Sequence, residues 1–288
     1  MVIMNRIQET PELSECLALK GGTAIQGLIF GFTRLSVDID MNYIGSIDKT
    51  VMEKERREIS KVLLYLFEDM GYSIEQPRAM YAEEQFSAHF KNIGGGQDRL
   101  KLEINYLERV PVAGTKKGVI NHRFEGLGDV KVLSYRPEEL FAGKIRALML
   151  RSTPRDLYDA AQISRSLGDI DKGLWRKISL FYLSMYDCDV RNLSTKRIDA
   201  VTSSDVRNNL QPLLSCHEKV DVNVLKGNVL PMVKELLDLS SNELDYFDQL
   251  YTEHRAEPDV LFEDIDMPDE LARHPAIVWR LNQFKQRN

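Results

Sequence analysis

The chain reads as an α/β (α+β) protein: a first half that builds a sheet and a second half that is all helical. Three observations predict this. Short apolar runs with period-two alternation, "CLALKG", "LSVDIDMNYI" and "RLKLEINYL", all lie before residue 110. From Pro137 the period changes, and "PEELFAGKIRALMLR" and "TPRDLYDAAQISRSL" carry apolar residues at helical spacing. Beyond residue 170 nearly every segment keeps that helical spacing. The change falls near residues 130–137, so two domains are expected, 1–135 and 136–288.

Each element has its own signal. "CLALKG" is short and apolar, as a buried strand is. "TAIQGLIFGF" predicts a helix, with Thr23 near its start and Ile25, Leu28, Ile29 and Phe32 at helical spacing. In "LSVDIDMNYI", Val37, Ile39 and Met41 fall on one face of a strand, and Asp38, Asp40 and Asn42 on the other. Residues 51–70 form a charged amphipathic helix closed by Gly71. "YSIEQ", "FSAHFKNI" and "RLKLEINYL" predict three more strands, and "NIGGGQD" is the glycine-rich turn joining the last two. Residues 108–135 lack a clear period and are expected to be a loop with short strands. Pro137 stands in the first turn of the next helix, where Glu138 and Glu139 complement the helix dipole. Thr153 and Pro154 are a cap and first residue for the helix after it.

The bulk properties exclude several classes. No apolar run approaches the ~20 residues of a membrane helix, and the first residues lack the pattern of a secretory leader. Cys16, Cys188 and Cys216 are scattered, with no histidine at zinc spacing, so neither a disulfide framework nor a structural zinc is expected, and a cytoplasmic location is. The net charge of −6 argues against non-specific nucleic-acid binding but is unevenly spread. Residues 99–155 hold 12 Lys/Arg against 6 Asp/Glu, whereas residues 241–270 hold 11 acidic residues and one Arg. Either segment is a candidate partner surface or a solvated face.

Chemistry concentrates in "LALKGGTAIQGLIFGFTRLSVDIDMNYIG". Asp38 and Asp40 are two apart on a strand, so both carboxylates point the same way. Like charges held together repel and one stays protonated unless a cation intervenes. Oxygen-only ligation suits Mg²⁺ or Mn²⁺. Gly21 and Gly22 stand at a strand-to-helix turn, where backbone N–H groups hold phosphate oxygens. A phosphate cradle beside two carboxylates suits nucleotidyl transfer from an NTP. In "RLKLEINY", Lys101, Glu103 and Asn105 share the polar face, so Glu103 is a candidate third carboxylate and proton acceptor. Lys144, Ala147 and Arg151 form a stripe on one helix, and Arg155 with Asp159 an i, i+4 pair on the next. These charges either neutralise a triphosphate or tie two helices together. Arg34 and Ser36 are candidate phosphate contacts or plain turn residues.

Five motifs in one order, Gly-Gly-Thr (21–23), R-x-S-x-D-x-D (34–40), K-x-E-I (101–104), A-x-K-x-x-A-L (142–148) and P-R-D-L-Y-D (154–159), resemble the AbiEii/AbiGii toxin family of the polymerase-β-like nucleotidyltransferase superfamily. The closing "HPAIVWRL" is also similar to that family's C-terminus. The resemblance implies a nucleotidyltransferase core with a mixed sheet, followed by a helical domain. It implies metal binding by Asp38, Asp40 and Glu103, and a need for Lys144 and Asp156 in activity. Beside these, the residues themselves offer Gly21, Gly22, Thr23, Arg34, Ser36, Arg151 and Arg155 as candidate phosphate or nucleotide contacts. The implied reaction moves NMP from an NTP to an RNA 3′ end, with tRNA as the expected acceptor, Mg²⁺ (or Mn²⁺) as the metal and a separate antitoxin as partner. The arm before the Gly-Gly pair is short for the family, so a flanking helix is expected to be missing. The residues also admit transfer to a protein acceptor, including Ser36 of the chain itself, a metal-dependent nuclease, or a non-catalytic nucleotide-binding module.

Overall fold

The computed structural model describes residues 1–263 and 265–287. The chain divides into two compact units, Met1–Arg136 and Pro137–Asn288.

The first unit is built on one mixed sheet. Its strands are β1 (Leu17–Lys20), β2 (Ile39–Tyr43), β3 (Ser73–Ile74), β4 (Arg78–Ala79), β5 (Glu83–Lys91), β6 (Gln97–Asn105), β7 (Thr115–Ile120) and β8 (Val130–Tyr135). They run in the order β3-β5-β6-β2-β1-β8-β7, with β4 paired to β5 off that path. The central strands β1 and β2 are antiparallel, while β2–β6 and β1–β8 are parallel.

Register assigns each side chain a side. Leu19, Met41, Ile104 and Ser134 are neighbours across four strands and share one side. Lys20, Asp40 and Glu103 share the other. The apolar side is covered by α1 (Val2–Glu9), which packs on β8, and by the long helix α4 (Lys49–Asp69). Met52, Ile59, Leu63, Leu66 and Phe67 form the buried stripe of α4, and the Phe67 ring lies 6.3 Å from Phe86. Each such side chain contributes about 1.5–3 kcal/mol of burial free energy. Asp48 caps α4 by accepting from the Val51 N–H (2.9 Å), and Gly71, at φ 80°, ends the segment. Between α1 and β1 lies α2 (Pro11–Ser14); between β1 and β2 lies α3 (Gly21–Ile25), which continues as a π turn through Gln26–Phe30.

The structure corrects several expectations. Val37, 63% exposed, and Asp38 both precede β2, so the strand alternation read through them starts two residues too early. The helix expected to include Phe32 stops at Phe30, because Gly31 and Phe32 both take positive φ, at 68° and 56°. Residues 108–135, read as a loop with short strands, hold β7 and β8, which pair as a six-residue antiparallel ladder and extend the sheet. Two helices, α1 and α2, precede the Gly-Gly turn.

Among its described residues the second unit has no strand. α5 (Pro137–Arg151) packs on α6 (Pro154–Ser166) and α7 (Lys172–Ser184), followed by helices at Val222–Leu237, Ser241–Tyr251 and Pro275–Arg287. Thr153 caps α6, its hydroxyl accepting from the Asp156 N–H (3.3 Å). Glu138 and Glu139 open α5 as expected for its dipole, yet both are buried, and Glu139 accepts from the Tyr182 hydroxyl. The acidic segment 241–270 is partly internal. Glu243 is 1% exposed and takes Arg176 Nη2 (2.7 Å) and Lys177 Nζ (3.4 Å), while Asp248 pairs with Arg191 (2.5 Å). Among the described residues no helix is long and apolar enough to cross a membrane.

Candidate active site

The turn after β1 requires glycine twice. Gly21 has φ 71°, and a Cβ there would stand 2.1 Å from Asp40 Oδ2. A Cβ on Gly22 would stand 2.6 Å from Ser36 Oγ and 3.1 Å from Arg34 Nη2. Removing both side chains lets the 34–40 segment close directly on the turn. Thr23, 4% exposed, ties that segment down: its hydroxyl donates to the Asp38 carbonyl (2.5 Å) and meets Ser36 Oγ at 3.2 Å. Gln26, fully buried, holds the same segment from the π turn, its carboxamide oxygen accepting from Thr33 Oγ1 (3.1 Å) and the Arg34 N–H (3.3 Å). Arg34 is 4% exposed and donates to the Leu35 carbonyl (2.8 Å). The structure thus brings Gly21, Gly22, Thr23, Arg34, Ser36, Asp38 and Asp40 into one turn, with Thr23 as a positioning residue for Asp38.

Beside this turn lies a surplus of carboxylate. Asp40 is the register neighbour of Lys20 on β1 and of Glu103 on β6, and Asp38, Asp40 and Glu103 are all half-buried. Lys20 Nζ is 3.7 Å from Glu108 Oε2, and Lys101 pairs with Glu103. Partial burial works against the Lys101 charge, but Glu103, Asp38 and Glu83 outweigh it and hold the ammonium above its ordinary pKa. Glu83 joins the group from β5 and was missed in the sequence. Burial and then the charge and hydrogen bond of Glu103 push its carboxyl upward. Its signal was the polar alternation Glu83, Gln85, Ser87, which starts three residues before the strand read from "FSAHFKNI".

The donor set fits a divalent cation. Asp38, Asp40 and Glu103 offer only hard oxygen atoms, as Mg²⁺ or Mn²⁺ requires, and Asp38, Asp40, Glu83 and Glu103 stand against Lys20 and Lys101. Among the described residues no three His, Cys, Asp or Glu side chains already converge as a ligand set; Glu103 is turned to Lys101 and Glu83.

In the second unit the charges read as a stripe resolve into pairs. Lys144, 8% exposed, lies 2.9 Å from Asp159 Oδ2, and Asp159 is fully buried. Arg151 grips Asp156 with Nε (2.7 Å) and Nη2 (2.8 Å), and Thr153 Oγ1 adds a third bond (2.6 Å). Burial opposes ionisation of Asp156, but Arg151, then Lys144 and Thr153, hold its carboxyl below the ordinary range. Arg155 is exposed and does not make the expected i, i+4 pair, because Asp159 faces α5 and Lys144.

A mixed sheet whose glycine turn meets carboxylates on two adjoining strands defines the class: this is the core of a nucleotidyltransferase. The chain matches the family model for the nucleotidyl transferase AbiEii toxin of type IV toxin–antitoxin systems over residues 3–239, and it belongs to that family. Membership makes it a nucleotidyltransferase toxin, with an NTP as substrate and an antitoxin as partner. Among solved structures it is similar to MenT4, a nucleotidyltransferase toxin from Mycobacterium tuberculosis H37Rv, with a TM-score of 0.67 over 90% of this chain and 88% of that one. At 18% identity that likeness speaks for the fold. No curated protein sequence matches the chain significantly.

Proposed function

We propose that the enzyme transfers NMP from an NTP to the 3′-hydroxyl of an RNA, tRNA in the first instance, in the cytoplasm and with Mg²⁺ or Mn²⁺. The core domain, 1–135, supplies the transfer chemistry, and 136–288 forms a helical domain. The observation that carries the reading is the contact of Gly21 with Asp40, which sets a side-chain-free turn against the carboxylates. Backbone N–H groups at Gly21 and Gly22 then face the triphosphate, with Arg34 and Ser36 beside them. Asp38, Asp40 and Glu103 would hold the divalent ion, which supplies charge neutralisation at the phosphates. The attacking RNA oxygen forms a bond to the α-phosphorus, the bond to the bridging oxygen breaks, and pyrophosphate leaves. Glu103 takes the hydroxyl proton, and Lys101 holds that carboxylate in place. Lys144 and Asp156 enter the proposal as the residues of the helical domain that the family resemblance assigns to activity, and Arg151 and Arg155 as candidate phosphate contacts read from their charge and spacing. The acidic 241–270 surface is proposed to dock the antitoxin.

A second reading rests on Ser36, whose hydroxyl packs against the glycine turn: the NMP passes to the protein. One experiment separates the two. Purified enzyme is incubated with total tRNA, Mg²⁺ and each α-³²P-labelled NTP, beside Asp40→Asn. Label on tRNA with the wild type alone supports RNA transfer. Label on protein, lost in Ser36→Ala, moves the acceptor to the chain, and no label on either sinks both readings.

A further inference from the structure

The β7–β8 hairpin carries cations that the site does not use. Lys116, Lys117, Arg123 and Lys131 are exposed, and among the described residues none has an ion-pair partner. Register decides where two of them point. Ser134 is the neighbour of Leu19, so Leu133 and Tyr135 share the side of Lys20, Asp40 and Glu103. Lys117 is opposite Leu133, and Val119 opposite Lys131. Lys117 and Lys131 therefore stand on the carboxylate side of the sheet. β7 is three strand spacings from β2, about 14 Å. The opposite side of β7 is spoken for, since a Cβ on Gly118 would stand 2.9 Å from Leu28.

The tip of the hairpin presents an aromatic ring. The His122 ring spans the loop, with Nε2 at 3.1 Å from the Gly128 carbonyl and Nδ1 accepting from the Phe124 N–H (3.3 Å). Phe124, 63% exposed, is held outward at the edge of this brace, beside Arg123. Glu125 and Asp129 are the acids of the loop; the strand side bearing Lys117 and Lys131 holds none.

We propose that this hairpin is the docking track for the acceptor RNA: Lys117 and Lys131 take the phosphodiester backbone, and Phe124 stacks on an unpaired base. The proposal rests on the reading that the acceptor is RNA. Both lysines lie on the sheet side that bears Asp40 and Glu103, and charge complementarity there favours RNA over a protein partner.

The test uses the full chain and total tRNA in filter binding from 50 to 300 mM NaCl. Each lost phosphate contact flattens the slope of log K against log salt by about 0.7–0.9. The double variant Lys117→Glu/Lys131→Glu is expected to flatten it by between about 1 and 2 and to weaken binding at least tenfold. Lys117→Gln/Lys131→Gln, which perturbs the strands less, shows the same flattening. Phe124→Ala weakens binding roughly tenfold with the slope unchanged. A wild type that binds tRNA, with double variants of unchanged slope, overturns the track and leaves RNA transfer standing; the surface then belongs to a protein partner. A wild type that shows no salt-dependent tRNA binding and labels only protein overturns the RNA reading and the track together.

Discussion

The two charged clusters of this protein look alike in the sequence and differ in the fold. Around β2 and β6, carboxylates outnumber cations, stay half exposed and crowd a turn stripped of side chains. Between α5 and α6, each acid has its own base, Asp159 with Lys144 and Asp156 with Arg151, and both acids are buried. A cluster with surplus charge attracts something from outside, whereas a balanced and buried one holds its own helices together. Substitutions can break or sharpen that contrast.

The largest effect is expected at Asp40. Asp40→Asn keeps the shape and removes charge from the surplus cluster, so label transfer should fall by about 10³-fold, the scale of losing one preorganised electrostatic group. Its melting temperature should stay close to wild type. A rate within tenfold of wild type would show that the carboxylates around β2 are not the site.

Lys144→Met tests the balanced cluster. It removes the ammonium 2.9 Å from the buried Asp159 carboxylate, and breaking such a pair typically costs about 3–5 kcal/mol. The urea midpoint should drop accordingly. A variant as stable as wild type but inactive would erase the contrast and place Lys144 in the chemistry.

Gly21→Ala comes next. The added methyl must occupy the space of Asp40 Oδ2 and hold a positive φ, a strain of about 1–3 kcal/mol. Activity should fall more than stability, because the atom displaced is a carboxylate oxygen of the proposed site. Paired melts and initial rates measure the split.

The smallest effect concerns pH. Asp156 has a folded pKa below its ordinary 3.8, so its contribution is complete above that value and is lost as pH falls through the folded pKa. Urea midpoints from pH 5 to pH 3 should fall for wild type and fall less steeply for Asp156→Asn. Equal slopes would mean that Arg151 does not hold the carboxylate as the geometry indicates.

Much of this fold was legible because its signals are local. β1, the glycine turn, β2 and β6 each announce themselves within a few residues through alternation or a Gly-Gly pair. The β7–β8 ladder was not, because "TKKGVINHRFEGLGDVKVLSYR" has little alternation of its own and is a strand pair through long-range packing on the π turn after α3 and on β1. Asp38, Asp40 and Glu103 could be named from period-two spacing, yet their neighbours could not. Glu83 reaches Glu103 only through the β5–β6 pairing, and no spacing rule joins residues on different strands. On α5 and α6 the helical spacing was right, but which acid each base chose depends on how the two helices face.

The contact between Gly21 and Asp40 also bears on how the toxin can be disarmed. Every amino acid other than glycine carries a Cβ, so all nineteen replacements at codon 21 meet the same obstruction, 2.1 Å from a carboxylate oxygen. At most positions a missense change gives a graded series of phenotypes, set by size and polarity. At this one the series should collapse to a single step, and a selection for survivors of the toxin should recover that codon often and without preference for the residue that replaces it.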